Sequence, residues 1–256
     1  MKLLAGIFGL VFKIYVGVVF MVTLLFFYPW ICLLISRRSW RKKSFPVHIL
    51  WCWVFRVLTL YWVRYCKKAP VPDGPYVIVA NHASYLDIFL MYSIMPKHPF
   101  LFMGKSEILQ YPLVKTLFKR LNIPVFREDR LKAARSFIQA KQAIREGWSI
   151  IIFPEGGIPD DHCPNMIPFK EGAFKLAKSA QVPIVPISFT NNYCLFSDPD
   201  NLLGPARPGI SEVYIHEAIS REEVAASTAE ELLKRTFDII NGPIQQHLRG
   251  KSLPAD

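Results

Sequence analysis

The first 72 residues contain no aspartate and no glutamate, yet they carry eleven lysines and arginines. Residues 73–256 hold twenty groups of each sign, so the whole net charge of +11 resides in the N-terminal part. A basic total first suggests nucleic acid. Its confinement to the most apolar stretch points instead to an anionic membrane surface, and no nucleic-acid partner is expected. Charged residues are only 20% of the chain and apolar residues 52%, which excludes a disordered or collagen-like polypeptide. Cysteine is sparse and odd in number: Cys32, Cys52, Cys66, Cys163 and Cys194. None lies in a C-x-x-C or a Cys/His spacing suited to zinc, which argues against a disulfide framework or a structural metal and fits a reducing compartment. The chain also lacks internal repeats, low-complexity tracts and a G-x-S-x-G nucleophile elbow.

Residues 14–35 form 22 consecutive uncharged positions. At helical rise they reach roughly 33 Å, enough to span a bilayer. Pro29 is expected to kink the helix. The stretch is too long for a signal-peptide core and no A-x-A site follows it. Arg37, Arg38, Arg41, Lys42 and Lys43 come next, then a second apolar segment over 46–66. Arg56 lies near its centre, where insertion costs about 2.5–3.5 kcal/mol. Basic clusters flank this segment at both ends, so crossing would break the positive-inside pattern. It reads as interfacial or re-entrant, with aromatic rings at headgroup depth, while the first segment either spans or dips and returns. The part of the chain beyond these segments is expected on the cytoplasmic face of a membrane, a bacterial inner membrane being the expected setting. Pro70, Pro72, Gly74 and Pro75 mark a boundary. The chain thus divides into 1–72, two membrane-anchoring helices with a basic linker, and 73–256. Beyond the boundary, strands are predicted over 75–80, 99–103, 123–126, 149–153, 183–189 and 212–216. Helices are predicted over 84–94, 107–120, 131–146, 170–181 and 228–248. This alternation predicts an α/β domain with a mainly parallel central sheet flanked by helices.

The densest polar cluster is Asn81-His82-Ala83-Ser84-Tyr85-Leu86-Asp87, between a predicted strand and a predicted helix. Active-site groups in α/β sheets gather at the carboxyl ends of strands. With Ser84 as N-cap and Asp87 at N3, the carboxylate would face back towards His82, bond one imidazole nitrogen and leave the other to take a proton. Taken alone, H-x4-D more often describes a helix cap beside an incidental histidine, because the pattern is common by chance. Phe153-Pro154-Glu155-Gly156-Gly157 follows another strand, with a carboxylate before two glycines where a ligand or backbone must come close, or where the chain merely turns. Lys105, Arg127 and Lys170 suit a phosphate, or a solvated surface.

Together these clusters resemble the glycerolipid acyltransferase family, specifically the 1-acylglycerol-3-phosphate (lysophosphatidic acid) acyltransferases. Residues 81–87 match the family's N-H-x4-D, KSEILQYP (105–112) its K-x-E-L-x-x-x-P, and RLNIPVFREDRLKAA (120–134) the block whose arginine falls on Arg127. FPEG (153–156), IPFKEGAFKLA (167–177) and VPIVPIS (182–188) match three more, in order, across 75–190. One position departs: where the family has E-G-T-R, this chain has Glu155-Gly156-Gly157-Ile158. The resemblance implies acyl transfer from acyl-CoA or acyl-carrier protein, as co-substrate and with no cofactor, to the hydroxyl of a lysophospholipid at the bilayer. The product would be phosphatidic acid. His82 would be the base, Asp87 its partner, and Lys105, Arg127, Glu155, Gly156 and Lys170 the substrate-binding groups. Ile158 keeps a phosphate-free lyso-lipid acceptor as an alternative. A non-catalytic lipid-binding protein would not need the His82–Asp87 pair. A metal hydrolase would have to combine that pair with Asp160, Asp161 and His162, which sit in an unrelated context; no metal is expected.

Overall fold

The computed structural model describes residues 2–159 and 163–252; Asp160, Asp161 and His162 lie outside the described residues. Seven strands form one sheet: β1 (Tyr61–Lys68), β2 (Val77–Ala80), β3 (Phe100–Lys105), β4 (Ile123–Val125), β5 (Ser149–Ile152), β6 (Ile184–Phe189) and β7 (Gly209–Ile215). Their spatial order is β1-β7-β6-β2-β5-β3-β4. Every neighbouring pair is parallel except β6–β7. The helices are α1 (Lys2–Ile35), α2 (Phe45–Leu58), α3 (Leu86–Ile94), α4 (Pro112–Leu121), α5 (Arg130–Arg145), α6 (Gly172–Ala180), α7 (Asn192–Leu195), α8 (Arg221–Ala226) and α9 (Ala229–Ser252).

The central strand β2 reads Val-Ile-Val-Ala because helices cover both faces of the sheet. Val77 and Val79 enter one core with Ala140, Ala173, Phe174 and Ile240, while Ile78 and Ala80 enter the other with Leu90, Met91 and Phe55. Alternate residues of the strand thus go to different cores, and neither set meets water.

The N-terminal helix belongs to both cores. Its Phe12 and Val16 lie in one, and Leu24, Phe27, Ile31 and Ile35 in the other. Its opposite face is apolar and bare: Phe8, Val11, Val18, Val22, Leu25, Phe26 and Trp30 are all exposed. Leu4–Ile35 is, among the described residues, the one helix long and apolar enough to cross a membrane by length and composition.

Two expectations need correction. The segment 46–66 is not one continuous element. It breaks at Thr59-Leu60 into α2 and the edge strand β1, which runs parallel to β7, so the sheet begins before residue 73. The turn is made by Leu60 at φ 57°, without the glycine or proline that would have marked it. The predicted helix 107–120 is likewise two pieces, a 3-10 turn over Ser106–Gln110 and then α4. Pro112 opens α4, at the helix position where a missing N–H costs nothing.

Candidate active site

The strand order sets the site. Five adjacent strands, β6-β2-β5-β3-β4, lead at their carboxyl ends into Asn192, His82, Glu155–Gly157, Lys105 and Arg127 respectively. Residues far apart in sequence therefore stand in a row along one edge of the sheet.

Asn81 fixes the end of β2. Its side chain donates from Nδ2 to the Phe189 carbonyl at 2.9 Å and accepts the Phe189 N–H at 2.8 Å. His82 follows, with Nδ1 at 3.0 Å from Oδ2 of Asp87. The same Oδ2 accepts the backbone N–H groups of Ala83 and Ser84, each at 2.9 Å. Asn192 donates from Nδ2 to the other oxygen, Oδ1, at 2.6 Å. Asp87 is fully buried, and these four donors satisfy both of its oxygens. The contact places the donated imidazole proton on Nδ1 and leaves Nε2 as the basic nitrogen. Phe153 stacks on the imidazole at 4.2 Å between ring centres and 17° between planes.

Ser84 does not cap in the expected way. Its hydroxyl donates to the Phe196 carbonyl at 2.6 Å and accepts the Leu86 N–H at 3.1 Å, and the helix proper begins at Leu86. Its role is to tie the start of α3 to the chain beyond β6.

Glu155 is buried, and both its oxygens are engaged by backbone. Oε1 accepts the His82 N–H at 2.8 Å and Oε2 the Ile167 N–H at 3.1 Å. Burial pushes its carboxyl up from 4.5 to about 7, against the pull of these two donors. The residue braces the loop to the histidine.

The next two residues carry the cationic half of the site. Arg127 donates from Nη2 to the Gly156 carbonyl at 2.5 Å. A Cβ built on Gly156 would sit 2.6 Å from that nitrogen and 3.0 Å from Lys170 Nζ; one built on Gly157 would sit 2.7 Å from Lys105 Nζ. Gly156 also has φ +88°, so glycine is required twice over. Three cations thus converge on a backbone stripped of side chains. Burial lowers the Lys170 ammonium, and the neighbouring charges of Arg127 and Lys105 lower it further. Such a group of like charges suits a dianion. Ile158 is half-buried beside it. Among the described residues no cluster of His, Cys, Asp and Glu is arranged to hold a metal.

The structure brings together the residues that the sequence singled out and adds to them Asn192 and a stacking role for Phe153. Asn192 is a hundred residues from Asp87 and sits in no motif, so only the fold reveals it.

The family model described as Acyltransferase matches residues 63–190, half of the chain. A 1-acyl-sn-glycerol-3-phosphate acyltransferase of Chlamydomonas reinhardtii is 32% identical over 180 residues, covering 65% of this chain and 52% of that protein. A putative 1-acyl-sn-glycerol-3-phosphate acyltransferase of Caenorhabditis elegans is 34% identical over 194 residues, covering 74% and 65%. The chain spans about half the length of the first curated relatives it matches. The fold is that of the crystal structure of the 1-acyl-sn-glycerophosphate acyltransferase PlsC from Thermotoga maritima, with TM-score 0.73, 23% identity and full coverage of both chains. The matched span begins inside β1 and ends just past β6, so it takes in the histidine–aspartate pair, the glycine loop and all three cations: the chain belongs to the acyltransferase family.

Proposed function

We propose that this protein acylates 1-acylglycerol-3-phosphate to phosphatidic acid at a membrane surface. The donor is an acyl thioester, of CoA or acyl-carrier protein, and no dissociable cofactor takes part. His82 Nε2 removes the proton of the acceptor hydroxyl as its oxygen attacks the thioester carbonyl. The carbon–oxygen bond forms, the carbon–sulfur bond breaks, and the imidazolium returns its proton to the departing thiolate. Asp87 holds the imidazole and stabilises its charged form. Lys105, Arg127 and Lys170 bind the acceptor phosphate, and Glu155 positions the loop between base and cations. The exposed face of α1 and the basic turn after it hold the site at the bilayer, with the catalytic part on the cytoplasmic face.

One observation carries this reading: residues 155–157 join the two halves. Glu155 holds the His82 backbone while Gly156 and Gly157 lie under the three cations. A phosphate seated there lies one short loop from the base, as a lysophosphatidic acid needs.

The test is an assay of the purified full chain with labelled acyl-CoA and acyl-carrier protein against lyso-lipids with and without a phosphomonoester. Lysophosphatidic acid should be the preferred acceptor. Lys105→Ala and Arg127→Ala should each raise its KM roughly 10–150-fold, since charged hydrogen bonds contribute about 1.5–3 kcal/mol. Preference for a phosphate-free acceptor, the reading Ile158 favours, would refute the substrate assigned here. Near-normal turnover by His82→Ala would refute the mechanism.

A further inference from the structure

A cavity of about 360 Å³ lies at the opposite edge of the sheet from the histidine. Its floor is Leu101 at the start of β3, Ile123 at the start of β4 and Trp148 just before β5. The site described above occupies the other ends of these same strands. Into this cavity come four arginines from three separate stretches of chain: Arg38 and Arg41 from the turn after α1, Arg120 from the end of α4, and Arg135 from α5.

One carboxylate, Glu146, lines the cavity with them, and it is already engaged. It pairs with Arg38, accepts from Gln142 at 3.0 Å, and its backbone carbonyl accepts from Lys42 at 2.7 Å. Arg41, Arg120 and Arg135 have no ion-pair partner among the described residues, and the Arg41 Nε is buried without a hydrogen bond. Burial lowers the Arg41 guanidinium, Arg38 and Arg120 lower it further, and the Glu146 carboxylate offsets only part of this. Guanidiniums brought together against apolar side chains repel one another unless an anion joins them. The volume falls in the range of small-ligand sites, about 300–1,000 Å³. Planar guanidinium forks match the paired oxygens of a phosphate.

We propose that this cavity is a second anion site, which binds a phosphate group and is separate from the acyl-transfer site. Arg38 and Arg41 directly follow the lipid-accessible face of α1, where Trp30 and Leu33 are exposed. The headgroup of an anionic lipid and a free phosphate in solution present the same chemistry to the four arginines.

The experiment uses the full chain in detergent micelles, with Lys105→Ala and Arg127→Ala already introduced so that the acyl-transfer site no longer dominates phosphate binding. Thermal unfolding is followed against added inorganic phosphate at constant ionic strength, and against mixed micelles of phosphatidic acid or phosphatidylcholine. Arg120 and Arg135 are both exposed, so Arg120→Gln with Arg135→Gln leaves the fold intact. Phosphate should raise Tm in the parent, and the two glutamines should weaken that effect at least tenfold. Stabilisation by phosphatidic acid at levels where inorganic phosphate is inert identifies the headgroup as source. Stabilisation by inorganic phosphate, with nothing added by the lipid, identifies the soluble anion. Equal behaviour of parent and glutamine variant towards both probes would overturn the proposal. In the otherwise native chain, Arg120→Gln with Arg135→Gln should leave the acceptor KM unchanged. A rise like that of Lys105→Ala would place these arginines in the acceptor site and also overturn it.

Discussion

Asp87 accepts four hydrogen bonds with two oxygens, and only one of the donors is the histidine. The others hold the carboxylate still, so the imidazole has one orientation. Asp87→Asn would set an amide nitrogen against these donors and leave no charge for the imidazolium; turnover should fall about 10²–10⁴-fold. Asn192→Leu keeps the volume but leaves Oδ1 buried without its partner. It should lower kcat roughly tenfold or more with little change in KM, because Asn192 orients the pair and is not placed to touch substrate. An unchanged kcat would remove it from the machinery. Glu155 gives a pH signature. Its carboxyl lies near 7 in the folded chain against 4.5 ordinarily, so between these values the folded state holds the proton more tightly. The stability it contributes is full below 4.5 and is lost as pH rises towards 7, by on the order of 3 kcal/mol. Glu155→Gln abolishes that titration. Its Tm relative to the native chain should rise from about pH 5 to about pH 7 and level off above that, and a flat difference would contradict the buried, raised carboxyl.

At the scale of elements, α1 has two apolar faces with different tasks. The inner face is core: Leu24→Ala or Phe27→Ala should cost about 2–5 kcal/mol of stability. The outer face is bare, and replacing Phe8, Val18, Val22 and Leu25 by serine should leave Tm in detergent nearly unchanged while reducing flotation with vesicles. Equal flotation would deny the outer face its membrane role. The division between these faces was not legible in the sequence, since an all-round apolar helix has no stripe to read. The parallel strands were legible, because β2, β5 and β6 are short apolar runs bounded by turn residues. β1 was not: only Tyr61 of its eight residues is buried, and the strand continues an apolar helix without punctuation. The histidine–aspartate pair could be read because it closes within one turn. The arginine cavity could not, because three distant segments build it and each alone looks like solvated surface.

At the scale of the whole molecule, charge and hydrophobicity are segregated along the chain and then folded back together. All excess positive charge lies within the first 72 residues, yet Arg38 and Arg41 end beside α4 and α5. The same folding back sets an order of events during synthesis. α1 is made before the strands and helices that cover its inner face. β1 is made early too, but its one partner in the sheet, β7, is among the last strands to emerge. The N-terminal half of this apolar helix waits longest for its cover: Gly9 lies against Gly204 and Ala206, and the Lys13 ammonium donates to the Asp198 carbonyl, 185 residues further along the chain. A bilayer present throughout synthesis would shelter α1 during that interval. In cell-free translation, vesicles supplied at the start should give more active protein than the same vesicles supplied after the chain is complete. Equal yields would mean that the nascent helix keeps itself soluble until the sheet closes.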